Sequence, residues 1–105
     1  MIRNHTLKLG REEFIYNNSI LTQIEFESMA KKSVYEMEAT ATDFSKYIYS
    51  SLKVNNETFK YTYPDFLQLI HDEHDSGILL KLMMSMKDEN ESTDQQELSE
   101  EEKKN

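Results

Sequence analysis

Large apolar side chains recur along the chain first with a period of two and later with a period near 3.6. Ile2, His5, Leu7 and Leu9 lead into Gly10-Arg11-Glu12, and Phe14 and Tyr16 follow. Thr6 to Leu9 and Glu13 to Tyr16 are therefore predicted as two short strands around a Gly-containing turn. A lone hairpin is marginal in water, so this one must pack on the rest of the chain.

From Asn18 the period changes. Asn18 or Ser19 can cap a helix whose apolar positions Ile20, Leu21, Ile24 and Met29 suit one face, with Phe26 falling off that stripe. Lys31 to Ala41 fits either a continued helix or an irregular loop. Thr42 or Asp43 then starts a helix in which Phe44, Tyr47, Ile48, Ser51 and Leu52 follow the amphipathic pattern. Asn55-Asn56 is expected to end it, because Asn tolerates the left-handed conformation of helix ends. Glu57 to Tyr63 reads as an extended link carrying Phe59, Tyr61 and Tyr63. Pro64 is placed at the first position of the next helix, where a missing N–H costs nothing. Asp65 suits the positive end of that helix's dipole. Phe66, Leu67 and Ile70 are expected on its inner face, with Leu69 adjacent. Ser76-Gly77 breaks the pattern. A last helix, Ile78 to Lys87, is apolar on more than one face, so a small body leaves one of its faces for a partner.

Composition sharpens this outline. Only two Gly and one Pro occur in 105 residues, too few for the tight turns of an all-β sandwich or barrel. The reading is a mainly α fold: a small helical domain over residues 1–87 with a short N-terminal β-hairpin, then a disordered acidic tail over residues 88–105. The tail contains one large apolar residue, Leu98, and cannot offset its ordering entropy by burial. Ser99 to Glu102 has a capping-box pattern with nothing apolar nearby to hold it. The net charge of −8 divides unevenly, −6 on residues 88–105 and −2 on the remainder. Such a balance repels nucleic-acid backbones and anionic membranes. The chain has no Cys, which favours an intracellular compartment. It shows no signal-peptide core and no apolar run of spanning length, so it is expected to be soluble and unprocessed.

Candidate chemistry is sparse. His71-Asp72-Glu73-His74-Asp75 is the one cluster with metal-ligand residue types, but its spacing is not His-Glu-x-x-His and the one further histidine is His5. A solvated helix end explains it more simply. There is no Gly-x-Ser-x-Gly elbow, and Gly10 and Gly77 cannot form a phosphate loop. No catalytic residue, metal site or cofactor is expected, and an enzyme is not expected. Leu82-Met83-Met84-Ser85-Met86 instead offers flexible, polarizable side chains of the kind found at adaptable binding surfaces.

LKLGREEFIY (Leu7 to Tyr16), TDFSKYIYSSLK (Thr42 to Lys53) and YPDFLQLIHDEHDSGILLKLMMSM (Tyr63 to Met86) together give a hairpin, a Phe-x-x-Tyr-Ile helix, an extended link, a Tyr-Pro-Asp-Phe-Leu helix start and a last apolar helix before a charged tail. In this order of elements the chain resembles the tail assembly chaperones of long-tailed bacteriophages. The likeness is architectural and covers residues 1 to about 88. It implies a protein of the infected host's cytoplasm that binds the tape measure protein, keeps it soluble, helps recruit tail tube subunits and self-associates. It implies no catalytic residues. The expected binding surface is apolar and drawn from the last two helices: Phe66, Leu67, Ile70, Leu79, Leu82, Met83 and Met86. The family's two-length products of ribosomal frameshifting also make Lys103-Lys104-Asn105 a place to look for a slippery codon run.

Two other classes compete. A small acidic inhibitor of a host nucleic-acid-binding protein, encoded by a phage, accounts for the size, the acidity and the lack of Cys. It would bind a basic protein in a salt-sensitive way, and loss of residues 88–105 should abolish that binding. A small metal protein would have to use His71 and His74, and a metal titration tests it.

Overall fold

The computed structural model describes residues 2–87; the expected tail over 88–105 lies outside them. The elements in chain order are β1 (His5–Leu9), β2 (Glu12–Tyr16), α1 (Ile20–Ala30), a 3-10 turn (Val34–Glu36), α2 (Ala41–Asn55), α3 (Tyr63–Glu73) and a helix over residues 78–87, here α4. The fold is thus mainly α with an N-terminal two-stranded hairpin, as the residue pattern implies.

The hairpin is antiparallel, with Leu9 opposite Glu12, Leu7 opposite Phe14 and His5 opposite Tyr16. Its two-residue loop has positive φ at both Gly10 (58°) and Arg11 (78°), the backbone that matches the twist of tightly joined strands. Leu7, Leu9, Phe14 and Tyr16 all point inward. The required packing partners come from far along the chain. Gly10 N–H donates to Glu73 Oε1 at 2.9 Å, and His74 Nε2 lies 2.9 Å from the Lys8 carbonyl. A Cβ at Gly10 would come within 2.8 Å of Tyr61 Oη, so the absent side chain lets the turn approach the link before α3.

The outer edge of β2 is closed by one side chain. Strand alternation turns the Ile15 N–H and C=O away from β1. Asn56 meets both: its Oδ1 accepts from Ile15 N–H (2.9 Å) and its Nδ2 donates to Ile15 O (2.8 Å). The expectation of a left-handed Asn at this helix end is corrected, since Asn56 is extended with φ −139°. Its amide serves as a substitute strand instead.

Helix α1 departs most from the residue pattern. Ser19 caps it by accepting from Thr22 N–H. The residues it buries completely are Thr22 and Phe26, whereas Ile20, Leu21 and Ile24 face solvent. The expected stripe is rotated outward for two reasons. Phe26 packs on Tyr47 of α2, with ring centroids 5.6 Å apart. Thr22 completes a buried polar knot: its Oγ1 donates to the Asn17 carbonyl (3.1 Å), Asn17 N–H donates to Ser51 Oγ (2.7 Å), and Ser51 Oγ donates back to Asn17 O (2.8 Å). A rotation that buried Ile20 and Ile24 would break these bonds and expose the larger Phe26.

Residues 31–40 hold one 3-10 turn within an irregular crossing. Lys31 ends α1 in the left-handed conformation (φ 61°). Glu27 Oε2 accepts from Val34 N–H at 2.7 Å, and Ser33 with Glu36 forms a capping box. The segment is tied to α2 by Asp43, whose Oδ2 accepts from Glu38 N–H and from Lys32 Nζ, each at 2.8 Å. The backbone bond first, and the lysine second, hold the Asp43 carboxyl below its ordinary value of 3.8. Folded Asp43 therefore stays ionised at a pH where the unfolded chain takes up a proton. Its contribution is present above the ordinary carboxylate value and is lost as pH falls through the folded value. We expect the stability difference between the protein and Asp43→Asn, measured by urea denaturation, to be largest near neutrality and to shrink below about pH 4. A difference that stays constant into acid would refute this role.

Helix α2 begins at Ala41, capped by Thr40, and buries Tyr47, Ile48, Ser51 and Leu52, while Phe44 is only half-buried. Tyr63 is the first residue of α3 and Pro64 the second, one place later than expected, with Thr62 as the cap. Phe66 and Ile70 are buried; Leu67 turns outward and Leu69 takes an inner, partly buried place. Helix α4 buries Ile78, Leu82 and Met86 and exposes Leu80 and Met84. Tyr16 and Ser85 hydroxyls meet at 2.9 Å; since Ser85 donates to Leu82 O, Tyr16 is the donor in that pair.

Candidate functional site

The helices leave apolar surface that their own core does not use. Ile20, Leu21 and Ile24 are 69%, 62% and 58% exposed. Ile20 and Ile24 stand one turn apart on the same face of α1. Contiguous apolar surface on a small monomer marks an interaction site more often than a structural need. Gln23, on the same turns of α1, lies in the wall of a neighbouring cleft of about 300 Å³. The other walls are Asn18 before α1, Val34, Tyr35 and Met37 of the crossing segment, Tyr47 of α2, and Met83, Met86 and Lys87 of α4. Three methionines give this groove side chains that can adjust to differently shaped apolar groups. Tyr35 at its mouth is 92% exposed.

The titratable groups lining the groove are Tyr35, Tyr47 and Lys87. Burial pushes the Tyr47 phenol up to about 12, so it stays protonated near neutrality, and its hydroxyl donates to Asn18 Oδ1. Lys53 pairs with Glu25 at 3.0 Å across the outer side of α1 and α2.

The seven residues expected to form the binding surface divide among three places. Phe66 and Leu82 are core residues. Ile70, nearly buried, lines with Leu67 and Leu79 a second cleft of about 360 Å³ between α3 and the start of α4. Met83 and Met86 line the first groove, Met86 with little of its surface free. Phe66, Ile70, Leu82 and Met86 therefore hold the domain together, Leu79 and Met83 are partly buried against the same core, and Leu67 is the exposed candidate. Ile20, Leu21, Ile24 and Tyr35, together with Ile2, Leu80 and Met84, are exposed apolar residues outside that expected surface. For those of α1 the available signal was Phe26: its place off the apolar stripe implies that one of the two sets faces outward.

His71 is exposed, and His74 is engaged with the Lys8 carbonyl while the neighbouring Glu73 holds Gly10. Among the described residues no group of three or more His, Cys, Asp or Glu could hold a metal ion, and no helix is long and apolar enough to cross a membrane. No family model, curated protein or solved structure matches this chain.

Proposed function

We propose that this protein is a binding protein, not an enzyme, that takes an apolar helical segment of a partner onto α1 and the adjoining methionine groove. In the setting suggested by the resemblance of Leu7–Tyr16, Thr42–Lys53 and Tyr63–Met86, the partner is the tape measure protein of a long-tailed phage. The site of action is then the cytoplasm of the infected host. The role is to cover apolar stripes of that long helical chain until tail tube subunits enclose it.

The observation that carries this reading is the outward-facing Ile20, Leu21 and Ile24 beside a groove walled by Met37, Met83 and Met86. Helix-in-groove recognition lays the apolar face of one helix into an apolar groove, and side chains that can repack suit such a groove. Co-expression with the tape measure protein of the same phage is expected to raise the soluble fraction of that protein. An unchanged soluble fraction, with this chain itself folded and abundant, overturns the reading.

A further inference from the structure

We propose that the cleft walled by α1, the crossing segment, α2 and the end of α4 is a small-molecule site for an apolar carboxylate, in outline a medium-chain fatty acid. This goes beyond the helix-binding reading, whose anchors Ile20, Leu21 and Ile24 lie outside the walls of the cleft. Its volume of about 300 Å³ stands at the small end of ligand pockets. That is the liquid share of about ten waters, so the cleft takes a body of about ten non-hydrogen atoms. Val34, Met37 and Met83 are half-buried in its walls, and Met86 is almost wholly buried. With the Tyr35 and Tyr47 rings they make a mostly apolar lining. The buried hydroxyl in that lining, Tyr47 Oη, donates to Asn18 Oδ1, so its proton is not offered to a ligand. Thioether side chains are unbranched and adjust to a flexible chain.

Charge fixes the other end of the ligand. Among the described residues lining the cleft, Lys87 is the one that carries charge, and it is exposed. Its ammonium has three N–H donors, so a contact within the protein leaves others for an anion. Asn18 and Gln23 add side-chain amides, which carry no charge preference of their own. A carboxylate at the open side gains a charge-assisted hydrogen bond from Lys87. A cationic end would meet like charge there, and a neutral end would gain less.

The test titrates octanoate, octanol and octylammonium, which share one alkyl chain, into the full chain with isotope-labelled methionine methyl groups read by NMR. Octanoate is expected to move the Met37, Met83 and Met86 resonances and to leave Met29 and Met84, which do not line the cleft, in place. It should bind about fivefold more tightly than octanol, the upper end of what an exposed ion pair supplies, and more tightly still than octylammonium. Lys87→Gln should erase the lead over octanol without weakening octanol itself. A lead that survives Lys87→Gln overturns the role of that lysine. Equal binding of the three compounds overturns the carboxylate, and it is the result to expect if the acids following Lys87 in the sequence neutralise it. Shifts that reach Met29 and Met84 equally overturn the location, and no saturable shift overturns the site. The helix-binding reading stands or falls separately, on the co-expression result.

Discussion

Phe26→Ala is expected to lower the unfolding free energy by about 3–5 kcal/mol, the usual cost of emptying a fully buried aromatic site. Ile24→Ala, two residues away, should change it by no more than about 0.5 kcal/mol. Phe26 has no exposed surface and packs on Tyr47, while most of the Ile24 side chain is in water. Against a total stability of roughly 5–15 kcal/mol for a small domain, the first change brings the protein near its folding threshold and the second is barely visible. Urea denaturation of the two variants decides the rotation of α1. If Ile24→Ala proved the more costly, the outward face described here, and the binding surface with it, would be wrong.

Asn56→Ala is the second large effect. It removes the amide that satisfies both polar groups of Ile15 and also the Nδ2 bond to Leu52 O. The Ile15 groups are partly buried against α2, so water replaces the lost partner poorly. The expected loss is about 2 kcal/mol, a fall in Tm of roughly 10 °C. Asn56→Asp separates the two halves of the contact. A carboxylate still accepts from Ile15 N–H but cannot donate to Ile15 O, so the loss should be intermediate or larger, never smaller than experimental error. A wild-type Tm in both variants would show that the β2 edge does not depend on this side chain.

These two residues also show what could and could not be read from the chain. The hairpin was legible because alternation over Leu7, Leu9, Phe14 and Tyr16 is a local signal, and so was α2, whose Tyr47, Ile48, Ser51 and Leu52 share one face. Helix α1 misled because three aliphatic residues outweigh one Phe in any count of periodicity. Its rotation is set by Ser51 and Tyr47, the partners of Thr22 and Phe26 on the following helix. The crossing at 31–40 was ambiguous for a related reason: its backbone is held by the Glu27 and Asp43 side chains of the flanking helices, not by a repeat of its own. Asn56 was recognised as a helix end, but its pairing with Ile15 spans forty-one residues and leaves no local trace. The candidate surface was half legible. The methionines of α4 pointed to the groove, yet the buried positions of the last two helices were indistinguishable from free ones without their packing partners.

The clasp between the hairpin and α3 has a consequence in time. The Gly10–Glu73 and Lys8–His74 contacts join residues 63 and 66 positions apart. At a synthesis rate of about 5–20 residues per second, the hairpin leaves the ribosome roughly 3–13 s before its docking partners exist. Until they emerge, Asn56 forty-one residues after Ile15 and Glu73 and His74 later still, these side chains cannot cover its edges. Strands of five residues with Lys8, Arg11, Glu12 and Glu13 all on exposed positions present a short, charged target to any neighbouring nascent chain, which is the composition that discourages edge-to-edge pairing.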